Sequence, residues 1–107
     1  MSLVTLDEVK LQANLTDDDA EFYPKITQLI PVAQNKVINF LNRRVFDVDS
    51  LPEGDELLTH DMEVTEDIKH AIGAVIINYM ESDNSFNSEL LEDLLTALVG
   101  SYRVISV

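Results

Sequence analysis

The chain has 107 residues, with 20 acidic against 7 basic side chains, giving a formal charge of −13 and a sequence pI near 4.2. That length holds one core, and a 46% hydrophobic content is too apolar for a solvated acidic tail. The absence of cysteine excludes disulfide scaffolds, thiolate zinc sites and thiol nucleophiles, and the acidity tells against holding free nucleic acid by its phosphates.

The start, Met1 to Glu8, has neither a basic cluster nor an apolar run, and the longest apolar stretch, Ala71 to Met80, is too short to cross a bilayer. The expectation is a soluble protein made in the cytoplasm, without a membrane partner. Thr5-Leu6-Asp7-Glu8 has the capping-box pattern, in which the threonine hydroxyl accepts from a free amide and the glutamate accepts in return. It opens a first helix over about 5–13. Thr16-Asp17-Asp18-Asp19 repeats that grammar, with acids at the positive end of a second helix over about 17–43. Phe22, Ile26, Leu29, Ile30, Ala33, Val37, Phe40 and Leu41 recur along it at steps of three and four. Pro24 is tolerable in the first turn, whereas Pro31 removes an internal hydrogen bond and predicts a kink or break. Arg43 and Arg44 are expected to close the helix at its negative end.

Charge is unevenly distributed. Residues 1–44 balance at −1, and residues 45–107 carry the remaining −12. Val45 to Asp67 holds Asp47, Asp49, Glu53, Asp55, Glu56, Asp61, Glu63, Glu66 and Asp67 with no basic residue, and its Pro52-Glu53-Gly54-Asp55 cluster has turn chemistry. This reads as a long, projecting acidic loop with room for a short β-hairpin. Thr65 caps a third helix, about 66–82, bearing Ile68, Ala71, Ile72, Val75, Ile76 and Tyr79. Its apolar face is broad enough for the central element. Asn87 or Ser88 caps a fourth, about 88–99, with Leu90, Leu91, Leu94, Leu95, Leu98 and Val99. Gly100 is a natural stop, and residues 101–107 form an apolar tail that needs cover. The fold expected is an all-α bundle of about four helices in a single domain.

Catalytic chemistry is sparse. His60 and His70 have no helical i, i+4 histidine partner of the metal-binding kind. If Asp47 and Asp49 begin a calcium loop, positions five, six and twelve are Leu51, Pro52 and Leu58, so the oxygen ligand, glycine and bidentate glutamate are missing. Three glycines, at 54, 73 and 100, do not make a phosphate loop. No cofactor or metal is expected, and the reading is non-enzymatic. A rival enzyme would have to use His60 and His70. An acidic DNA mimic or inhibitor, with carboxylates imitating phosphates to occupy the basic groove of a DNA-handling enzyme, is the other alternative.

Val4-Thr5-Leu6-Asp7-Glu8-Val9-Lys10 is similar to the (V/I)TLEEVK opening of the head-tail connector, or adaptor, family of tailed bacteriophages. Val37-Ile38-Asn39-Phe40-Leu41-Asn42-Arg43 resembles that family's helix ending before a variable loop. Val64-Thr65-Glu66-Asp67-Ile68-Lys69-His70-Ala71-Ile72 resembles its next helix opening, and Leu98-Val99-Gly100-Ser101-Tyr102-Arg103-Val104 its terminus. Order, spacing and total length carry the resemblance over nearly the whole chain. Val64 and Ser101 stand where the family commonly has proline, and Pro31 falls in a helix it usually keeps whole. The resemblance implies a virion protein at the head-tail junction. About a dozen copies would form a ring below the portal protein after DNA packaging, extending the DNA channel and supporting a head-completion, stopper or tail protein. DNA would pass without sequence-specific binding. On this reading Tyr102, Arg103, Val104 and Ile105 are candidates for portal or subunit docking. The carboxylates Asp47, Asp49, Glu53, Asp55 and Glu56 are candidates for a channel-facing loop, because a negative wall repels phosphate.

Overall fold

The computed structural model describes residues 2–82 and 88–105. Four α-helices form the body: α1 (Leu6–Gln12), α2 (Tyr23–Leu41), α3 (Glu66–Glu81) and α4 (Ser88–Val99). The expected caps are in place at two starts. Thr5 accepts from the Glu8 amide while the Glu8 carboxylate accepts from the Thr5 amide, and the Thr65 hydroxyl accepts from the Ile68 amide. The expected cap of α4 at Asn87 lies outside the described residues. Asp17–Phe22 is a separate 3-10 turn rather than the first part of α2. The Asp19 carboxylate accepts from the Thr16 amide there, and Pro24 sits in the first turn of α2.

Helix α2 runs unbroken through Pro31. Both Pro31 and Thr27, whose carbonyl would have accepted from residue 31, are exposed. The missing bond therefore falls on the solvent-facing side of the helix, where the Thr27 carbonyl is open to water rather than stranded in the core. The helix ends earlier than expected, at Leu41, because Asn42 adopts the left-handed conformation (φ 56°). Arg43 and Arg44 lie beyond the end rather than in the last turn.

The core brings together Ile26, Leu29, Ile30, Ala33, Val37 and Leu41 of α2, Ile68, Ala71, Ile72, Val75 and Ile76 of α3, Leu91, Leu95 and Val99 of α4, and Val9 of α1. Helix α3 touches the other three helices, as befits a central element, and α2 does too. Leu3 and Val4, ahead of the first helix, are also buried. The Leu3 amide donates to Gln34 Oε1 at 2.7 Å, which ties the chain start to α2. Helix α1 lies close on α3 at Gly73, where a Cβ would meet Gln12 Oε1 at 2.1 Å. Gln12 Nε2 donates to the His70 carbonyl in the same contact.

Between α2 and α3 the expected hairpin is replaced by a minimal parallel pair, β1 (Val45–Phe46) with β2 (Met62–Glu63). A hairpin needs one tight reversal. Here the connection is divided into several turns, at Asp47–Ser50, Gly54–Leu57 and Leu58–Asp61, and it brings β2 back beside β1 in the same direction. Parallel pairing requires such a long connection.

Replacing Ile72, which is fully buried, with alanine is expected to cost about 2–5 kcal/mol in chemical denaturation. Leu90→Ala, at a side chain 55% exposed on α4, should stay within about 0.5 kcal/mol of wild type.

Candidate functional site

The left-handed turn at Asn42 delivers two arginines to the place where the acidic loop and the tail converge. Arg43 Nε donates to the His60 carbonyl at 2.6 Å, and one of its terminal nitrogens donates to the Tyr102 carbonyl at 3.2 Å. Arg44 makes a bidentate pair with Asp61, its Nε lying 2.9 Å from Oδ1, and donates also to the Glu56 carbonyl at 3.1 Å. Its guanidinium lies over the Phe46 ring. The Met62 amide donates to the Arg44 carbonyl and the Val64 amide to the Phe46 carbonyl. Together these bonds fasten both ends of the loop to the end of α2.

The Asp61 side chain is only 2% exposed. The Arg44 hydrogen bonds hold its carboxyl below the usual carboxylate range. Burial opposes this, and the Leu58 amide and the charges of Arg44 and Arg43 reinforce it. The same pair raises Arg44. At α1, partial burial pushes the Glu8 carboxyl up, but bonds from the Thr5 amide and from Lys69, whose Nζ is 3.2 Å away, outweigh it and leave a net lowering.

The five loop carboxylates singled out by sequence are not equivalent. Asp47 is half-buried and accepts from the Val48 amide. Asp49 has a left-handed backbone (φ 60°), and its amide donates to Glu63. Glu53, Asp55 and Glu56 are exposed around Gly54, which also has positive φ. Among these acids stand four exposed apolar side chains, Val48, Leu51, Leu57 and Leu58.

The four tail candidates also divide. Tyr102 packs against the core and its hydroxyl donates to Asp67 at 3.0 Å. The Val104 amide donates to the Leu41 carbonyl at 2.8 Å, and its carbonyl accepts from Asn42 Nδ2 at 3.2 Å. Arg103 and Ile105 point outward, with Ile105 79% exposed. Arg103 lies over the Phe40 ring, 4.5 Å from its centre, a contact worth about 0.5–1 kcal/mol at an exposed site. Behind it, a cleft of about 380 Å³ runs between α2 and α4, lined in part by Lys36, Leu91, Glu92 and Leu95.

His60 and His70 sit on the loop and on α3, both exposed, and it is their carbonyls that are engaged. Among the described residues no three His, Asp or Glu side chains gather to hold a metal ion, and no helix is long and apolar enough to cross a membrane. Sequence reasoning missed the role of Arg43 and Arg44. The signal was their position: they are the last two bases before a segment with nine acids and none of its own. No protein-family model matches the chain, and neither the curated proteins nor the solved structures give a significant match.

Because the folded Asp61 carboxyl binds its proton less readily than an unfolded one, the Arg44–Asp61 pair stabilises the fold above the ordinary carboxylate value of about 3.9. That contribution is lost as pH falls through the depressed folded value. The Tm deficit of Asp61→Asn relative to wild type is expected to be largest near neutral pH and to shrink toward pH 3 and below, read by circular dichroism at constant ionic strength. A pH-independent deficit would show that the charge of Asp61 does not hold the loop.

Proposed function

We propose that the chain is a structural subunit of the tailed-bacteriophage head-tail junction. In this reading it is an adaptor whose copies form a ring beneath the portal, extend the DNA channel and present a platform to a head-completion or tail protein. The ordered resemblance of four sequence segments to the connector family supports this, and the four-helix body is compatible with it. The observation that carries most weight is the loop itself. It is fastened at both ends by Arg43 and Arg44 beside the docked tail, yet it shows Val48, Leu51, Leu57 and Leu58 to solvent.

A segment that only repelled passing DNA would need carboxylates alone. Exposed apolar side chains on an anchored loop favour a protein contact. The loop is then a docking element first, and the negative character of a channel follows from the subunit charge of −13 as a whole. Exposed apolar side chains also occur away from the loop, at Leu11, Phe22, Val32 and Leu90, which suits a head-to-tail ring in which each subunit offers two different surfaces.

Native mass spectrometry of the protein, alone and mixed with a tailed-phage portal protein, tests the reading. The expected result is a closed oligomer of about a dozen copies, or portal-dependent assembly of one. A strict monomer under both conditions would overturn it, and salt-sensitive binding to a DNA-handling enzyme instead would favour the mimic.

A further inference from the structure

Among its described residues, the cleft beside Arg103 is locally basic in a chain that is acidic as a whole. Two of the chain's seven basic side chains, Lys36 and Arg103, line it against one carboxylate among the described residues, Glu92, and Phe40, Leu91 and Leu95 add apolar surface. The other five bases lie outside the cleft: Arg43 and Arg44 at the loop base, Lys69 on Glu8, and Lys10 and Lys25 over Tyr23 and Tyr79. Among the described residues no carboxylate pairs with Arg103. No residue of the chain's own acidic loop lines the cleft.

The loop offers the complementary pattern. Glu53, Asp55 and Glu56 are exposed, and the next two residues, Leu57 and Leu58, are exposed leucines. We propose that the Lys36–Phe40–Arg103 cleft receives the Glu53–Leu58 segment of a second copy, carboxylates against the two cations and leucines against the apolar lining. This rests on the ring-forming reading and names the contact that would join consecutive subunits. Loop and cleft are different surfaces, so the contact propagates head to tail and closes when the rotation allows. The charge of −13 keeps copies apart at long range. The pairing acts inside the screening length of about 8 Å at physiological salt, where local charge outweighs the total.

Two charge-reversed proteins test it. One carries Lys36→Glu with Arg103→Glu, the other Glu53→Lys, Asp55→Lys and Glu56→Lys. By sedimentation velocity at about 0.15 M salt, each alone should self-associate at least tenfold more weakly than wild type. An equimolar mixture should recover assembly, because every loop then finds a cleft of opposite charge. A second measurement does not depend on reversed charges. The chain has no cysteine, so mixing Asn39→Cys, at a residue that lines the cleft, and Asp55→Cys proteins with a short bismaleimide should give a cross-linked dimer that neither gives alone. Wild-type assembly accompanied by unchanged variants, an unrecovered mixture or no cross-link would overturn the pairing and leave the ring reading standing. Wild type that stays monomeric both alone and with the portal would overturn the ring reading itself.

Discussion

The left-handed turn at Asn42 is the constraint on which the rest of the molecule depends. An α-helix leaves its last carbonyls without intrahelical partners, and a residue that reverses handedness both stops the helix and redirects the chain. Here it exposes the Leu41 carbonyl to the Val104 amide and turns Arg43 and Arg44 toward the loop. Two stretches far apart in sequence, 56–62 and 102–104, are thereby collected at one point. Had α2 continued to residue 43, the arginines would have followed the helical sweep, and neither the loop base nor the tail would have found them.

The helices were legible because burial imposes a period. Leu91, Leu95 and Val99, or Ile26, Ile30, Ala33 and Val37, can be read from spacing alone. What was not legible lacked a period. Leu3 and Val4 are two apolar residues before a cap, too few to make a pattern, yet both are buried. The left-handed Asn42 carries no signal that separates it from Asn39 three residues earlier. The parallel pairing of Val45 with Met62 depends on what the turns between them do together. The tail was expected to seek cover, but its spacing carried no sign of which side chains the fold would use. Tyr102 and Val104 are spent on the fold, and Arg103 and Ile105 are left outward.

The scarcity of positive charge makes each basic residue informative. Arg43 and Arg44 bind carbonyls and one nearly buried carboxylate, so their work is internal. Lys36 and Arg103 border an open cleft. In a chain so strongly negative, the exposed carboxylates set the long-range field, and the few cations decide where contact is permitted. Sequence alone suggested an acidic surface whose use was to avoid DNA. The folded molecule adds an apolar component to the same loop and an opposing cleft on the same subunit.

The pairing of β1 with β2, reinforced by Arg44 on Asp61, acts as a staple across the two ends of the loop. With the ends held there, lengthening the flexible segment beyond the staple costs little, about 0.6 kcal/mol for each doubling of its length. The tip of the loop from Ser50 to Asp55, clear of the bonds that Asp49, Glu56 and Leu58 make at its base, is therefore an interchangeable cassette. Residues can be inserted, deleted or exchanged there to suit a different neighbour while the bundle beneath keeps its packing.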